Sequence, residues 1–221
     1  ACGLLNGYFV TVVGLPSLAV TIGTLALYRG FAWVLLGNEP VNELPENWIV
    51  LGYENIPNTF LPWSTIPVVI LSVLAWVILH YTRVGRWTYA IGINAEAAKF
   101  SGIPVARMKL ALFGVTGLMS GVAGVVYTLR FASASPDGAV GYELDVIAAV
   151  LFGGVAIAGG LGTLWGVLAA VLSLGVIRSV MQLLDFTGNA LLMVSGALLL
   201  ISVVLPRAIE LVKDRRKSVT V

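Results

Sequence analysis

The sequence predicts an all-α membrane protein. It reads as a polytopic bundle of transmembrane helices in one domain over 1–221, with a short cytoplasmic helix and one re-entrant or broken helix. Three observations carry this. First, 58% of the 221 residues are hydrophobic, only 11% are charged, and mean hydropathy is +0.96. Soluble domains carry about 25% charged residues, so this chain cannot coat itself in polar side chains and must face lipid. Second, the apolar stretches are long and do not alternate, as in LLMVSGALLLISVVL at 191–205. Alternation in ten-residue stretches would mark a barrel; unbroken runs mark helices, which satisfy every backbone group internally. Third, acidic and basic residues fall in separate connecting segments.

Residues 1–13 are apolar but too short to span, since about 20 residues are needed. They open at Ala1 inside an apolar stretch, so an upstream part is expected. Gly14-Leu15-Pro16-Ser17 breaks the chain, and a span follows from Leu18 to Leu36 with Arg29 inside it. Residues 38–65 read as an extracytoplasmic loop. They hold Glu39, Glu43, Glu46 and Glu54, four prolines and no Lys or Arg, with Trp48 and Trp63 at interface-like positions. A second span covers Ile66 to His80.

Residues 82–109 are basic, with Arg83, Arg86, Lys99, Arg107 and Lys109 against Glu96 alone. Within them Asn94 to Ser101 reads as a short helix. Asn94 caps it, Glu96 lies in its first turn, Gly102 can end it and Pro104 bars continuation. Such a helix between two spans is either a docking element or a surface loop. A third span, Leu110 to Leu129, carries Gly114, Gly117, Gly121 and Gly124 near one face, a spacing that lets backbones approach.

A loop around Pro136-Asp137-Gly138 follows. The stretch 144–184 exceeds one span and is interrupted at Gly153-Gly154 and Gly159-Gly160-Leu161-Gly162, which predicts a short helix, a glycine turn and a longer helix from Trp165 to Leu184. A last span covers Ala190 to Leu205, and the tail 206–221 is basic. By the positive-inside rule, 82–109 and the tail are cytoplasmic and 38–65 is outside. The parity closes only if 144–184 crosses twice or re-enters.

Enzyme chemistry has little to work with. His80 is the lone histidine and Cys2 the lone cysteine, so no base–nucleophile pair or soft-ligand metal site is expected. The glycine turn lacks the lysine of a phosphate loop and follows no strand, so no cofactor is expected. Charges within or beside spans are functional candidates. Arg130, Arg178 and Asp185 can each snorkel to an interface, Asp145 suits the start of a helix, and Arg29 lies deeper. Arg29, Gly117, Gly121, Asp145, Gly159, Gly160 and Gly162 are candidates for a pathway or for helix packing.

Three stretches resemble one family. GRWTYAIGINAEAAKFSGIPVARMKLALFGVTGLMSGVAGVVY (85–127), GYELDVIAAVLFGGVAIAGGLGTLWGVLAAVL (141–172) and GLPSLAVTIGTLALYRG (14–30) resemble signatures of sugar-type ABC importer permeases, the group handling ribose, xylose, rhamnose and autoinducer-2. The rhamnose and autoinducer-2 members look nearest. The resemblance implies a non-catalytic subunit that pairs with a second permease subunit, two cytoplasmic ATP-binding subunits and a sugar-binding protein outside. It makes 92–104 a coupling helix, with Asn94, Glu96, Ala97, Ala98, Ser101, Gly102 and Ile103 at the ATPase. The bacterial cytoplasmic membrane is the implied location, with lipid around the spans and no nucleic-acid partner. A branched-chain amino-acid ABC permease is the alternative, and a stand-alone channel or secondary transporter a more distant one.

Overall fold

The computed structural model describes residues 1–186 except 38 and 43, together with 190, 193, 194, 196, 197, 200 and 204. The expected last span is only partly described, and the tail 206–221 lies outside the described residues. Among the described residues there are nine helices and no β-strand. They divide into two compact units: 1–91 with 95–138, and 92–94 with 139 onward.

The first unit begins with α1 (Cys2–Thr11) and α2 (Ser17–Leu36), separated by Gly14 at φ +81°. The Tyr28 hydroxyl of α2 reaches Asn6 Oδ1 of α1 at 3.1 Å. The segment 38–65 is more ordered than the expected loop. It contains α3 (Glu46–Tyr53), packed on the later helix α7 (Val105–Phe131). Gly52 makes this possible: a Cβ there would stand 2.7 Å from Arg130 N and collide with the Leu129 carbonyl. Val41 also pairs with Ala134 through two backbone hydrogen bonds of 3.0 Å.

α4 (Thr65–Tyr81) covers the second expected span. It runs into α5 (Arg83–Ile93) through a 74° bend at Thr82. Thr82 Oγ1 donates to Ile78 O at 2.6 Å and accepts from Gly85 N at 3.4 Å, so one side chain closes α4 and opens α5. Gly85 is required because any Cβ would strike Leu79 O. The expected interhelical loop 82–109 is thus mostly helical: α5, then α6 (Ala95–Phe100), then the first turn of α7.

α7 has 27 residues, about 40 Å of helix. It packs on α1 through small residues: a Cβ on Gly117 would stand 2.7 Å from Gly3 Cα, and one on Gly114 2.9 Å from Leu4 Cδ2. Gly121 and Gly124 have nothing within 4 Å of an added Cβ, so the expected four-glycine face is used only in its first half.

In the second unit, α8 (Tyr142–Phe152) and α9 (Leu164–Leu183) form a hairpin around the predicted glycine break. Thr163 Oγ1 caps α9 by accepting from Gly166 N at 3.2 Å. α8 is 11 residues, about 16 Å, roughly half the thickness of a bilayer core, and so too short to cross alone. The bend found among the described helices is the one between α4 and α5.

Three helices, α2, α7 and α9, are long and apolar enough to span, and the bent pair α4–α5 meets the same length and polarity only when its two halves are counted together. Only seven hydrophobic residues are buried among those described, while Val34, Leu35, Leu172 and many others stand exposed. Apolar side chains face outward along the spans, as the solvent inside a bilayer demands.

Candidate functional site

The corner of α5, α6 and α7 collects most of the sequence-predicted site residues. α5 presents Trp87 and Ile91 on one face, four residues apart. They pack with Ala98 of α6 and Met108 of α7, joined by Ala95, Ile103 and Val105. Ala98 is 5% exposed. Its small side chain lets α6 lie directly on its own chain, so it faces inward. Asn94, Glu96, Ala97, Ser101 and Gly102 are exposed on the outside of the same turn.

The end of α6 is built as the sequence suggests. Gly102 has φ +80°, its N–H donates to Lys99 O at 3.1 Å, and Ile103 N–H donates to Ala98 O at 3.1 Å. This is a Schellman closure with its apolar contact supplied by Ile103 against Ala98. A Cβ at Gly102 meets nothing within 4 Å, so only backbone strain opposes it. Gly102→Ala should cost about 1 kcal/mol and lower hydrogen-exchange protection of the Gly102–Ile103 amides roughly fivefold. Gly102→Asn should cost less.

One residue outside the predicted set stands out on this corner: Phe100 is 91% exposed. A large aromatic at the tip of a six-residue capped helix in a polar segment was the available signal. On the same corner Lys99, Arg107 and Lys109 border a cleft of about 460 Å³ floored by Ile103 and Pro104, giving it a positive rim.

The other candidates are scattered. Arg29 is half-buried on α2. Gly121 lines an apolar cleft with Gly52, Trp63 and Val125. Gly159 and Gly160 take φ of +89° and +76° and lie against Gly92 and Ile93: a Cβ on Gly160 would be 2.8 Å from Ile93 N. Gly162, at φ +151°, leaves a Cβ only 2.8 Å from Val155 Cγ2. These turn glycines thus have packing and backbone reasons to be glycine. Asp145 is paired with Arg178 of α9. In the sequence the two charges stand 33 residues apart with nothing to link them, and only the hairpin brings them together. His80 is exposed on α4, with Nδ1 3.1 Å from Trp76 O. Among the described residues no group of three or more His, Cys, Asp or Glu is placed to hold a metal.

Long apolar helices with outward-facing apolar side chains, joined by short helices, are those of a multi-pass membrane protein. The chain belongs to the family described as branched-chain amino acid transport system / permease component, matched over residues 1–203. It is 36% identical to the ribose import permease protein of Bacillus subtilis over 216 residues, covering 96% of this chain and 64% of that one. It is 37% identical to the L-arabinose transport system permease protein of Escherichia coli over 203 residues, 91% of this chain and 61% of that one. The ribose import permease protein of Escherichia coli is 34% identical over 205 residues, with 92% and 64% coverage. The chain thus spans somewhat over three fifths of the length of these curated relatives. No solved structure matches it. The resemblance to sugar-type permeases is borne out, while the leaning toward rhamnose and autoinducer-2 members finds no support in these three relatives.

Proposed function

We propose that the chain forms the membrane-spanning part of an ATP-driven importer that moves a sugar across the bacterial cytoplasmic membrane. The observation that carries this is the identity of 34–37% to ribose and arabinose permeases over more than nine tenths of the chain. Energy enters from ATP-binding subunits that dock on the α5–α6–α7 corner. Asn94, Glu96 and Ser101 supply the polar groups of that surface, Ala97 and Gly102 its small residues, and Phe100 its apolar anchor. Ala98 and Ile103 support it from behind, so a push on α6 is passed to α5 and α7 through a packed cluster. A second permease subunit completes the pathway, and a sugar-binding protein delivers the solute from outside.

The orientation follows from charge. The basic 82–109 segment and the tail 206–221 face the cytoplasm, and the acidic 38–65 segment faces out. The close approach of Gly159 and Gly160 to Gly92 and Ile93 supports this parity, because it puts the glycine turn on the same side as residues 92–93. Transport is then a rocking of packed helices driven by closure of the ATPases.

Phe100→Asp tests the docking surface. A buried aromatic anchor at an interface contributes about 2 kcal/mol or more, so recovery of the ATPase subunit with the permease should fall at least thirtyfold while membrane insertion stays normal. Undiminished recovery with undiminished uptake overturns the assignment. The family description favours one second reading, a branched-chain amino-acid permease. Uptake of labelled ribose or arabinose against labelled leucine in the same cells separates the two. Uptake without any ATPase would instead point to a stand-alone channel or secondary transporter.

A further inference from the structure

Inside the second unit an ion pair sits among apolar residues. Arg178 of α9 donates through Nη2 to Asp145 Oδ2 in the first turn of α8. Its guanidinium also lies 5.4 Å from the centre of the Tyr142 ring, within cation–π range. The Arg178 and Asp145 side chains are 30% and 16% exposed. They border a cavity of about 340 Å³ whose other walls are Val, Ala, Leu, Ile, Met and Gly.

α8 is fastened to α9 at its other end by backbone contact. A Cβ on Gly153 would stand 2.6 Å from Val167 Cα, and one on Gly166 would collide with Gly153 O. At the N-terminal end the fastening is electrostatic. In surroundings of low polarity, deleting one partner leaves a charge without compensation, a much larger penalty than deleting both.

We propose that Arg178 is a positioning residue for transport: by gripping Asp145 and covering Tyr142 it holds the half-length helix α8 on α9, so that the two move as one hairpin when the pathway opens and closes. This rests on the permease reading above. Without the grip, the first turn of α8 loses its electrostatic hold on α9 and no longer follows it closely.

The test uses the complete transporter with its partner subunits, after the exposed Cys2 is replaced by serine. Asp145→Ala and Arg178→Ala should each lower the maximal rate of sugar uptake at least tenfold, with the KM of uptake unchanged within twofold. The exchanged pair, Asp145→Arg with Arg178→Asp, should recover at least fivefold over either single variant. Arg178→Lys keeps the charge but loses the planar fork and should fall between. Cysteines at 145 and 178 joined by a bifunctional thiol reagent should keep more than half the parental rate, because the two helices do not separate. A cross-link that abolishes uptake, a change confined to KM, or an exchanged pair no better than the single variants overturns the proposal. If the parent moves no sugar, the permease reading fails separately. The grip is then judged by thermal unfolding of the purified chain, where lowered midpoints in both single variants and recovery in the exchanged pair support it and simple additivity overturns it.

Discussion

Gly117→Val is expected to prevent the chain from accumulating in the membrane. Gly117 and Gly3 meet backbone to backbone, and a Cβ on either stands under 3 Å from the main chain of the other. A main-chain atom cannot rotate away as a flexible side-chain end can, so α1 must move off α7. That separation also disturbs Gly7, where a Cβ would stand 2.9 Å from the Phe113 and Leu110 side chains. Overpacking of a tight contact costs about 3 kcal/mol, and helix association in lipid has little but such packing to draw on. Gly124→Val on the same helix is the control. Nothing lies within 4 Å of its added Cβ, and valine is the better helix former by a few tenths of a kcal/mol. Immunoblots of membrane fractions should show near-parental amounts for Gly124→Val and less than a tenth for Gly117→Val. Equal amounts would remove the α1–α7 packing from this account.

Gly160→Val is expected to have the second large effect. Two costs add there. The left-handed backbone, φ +76°, penalises a β-branched residue by about 2 kcal/mol. The new side chain also enters the space of Ile93, whose Cγ1 and N lie 2.5 and 2.8 Å from the added Cβ. Residues 92–94 would be displaced from the 159–160 turn, and with them the lead into α6. Limited proteolysis of permeabilised membranes should then cut near Asn94 at least tenfold faster than in the parent, whereas Gly154→Asn should leave that rate unchanged. Gly154 has positive φ as well but an open surround, so the comparison separates backbone conformation from close approach. Unaltered cleavage in Gly160→Val would show that the turn and the 92–94 segment are independent.

Much of the architecture was readable from residue types because lipid constrains it so heavily. The spans α2, α4, α7 and α9 begin and end within a few residues of the expected limits, apart from the start of α7, which lies five residues earlier than Leu110. Length and polarity alone set them. The α8–α9 break was legible because glycines with positive φ are the cheapest way to reverse a helical chain. The short helix after Asn94 was legible from its alanines, its first-turn acid and its glycine stop.

What escaped was local helix that depends on a distant partner. α3 has eight residues and follows Pro45 in a segment dominated by glutamate and proline. An isolated helix of that length is unstable in water, and it exists because Gly52 seats it on α7. α5 contains two glycines and reads as loop, yet Thr82 caps it and the Trp87–Ile91 face finds Ala98 and Met108. The residues that carry the resemblance do not include Phe100, whose exposure follows from Ala98 taking the inward position on α6.

By itself, then, the sequence determined that this protein lives among lipid, where its spans run, which segments carry charge of each sign, and that a capped helix lies between two spans. These follow from one-dimensional properties: run length, periodicity, net charge per segment and glycine placement. The tertiary structure decided which glycines bear close packing, which side of α6 is presented, and that Asp145 and Arg178 are one feature. Those outcomes depend on contacts between residues far apart in the chain, and a lone charge or glycine carries no record of the partner that folding brings to it.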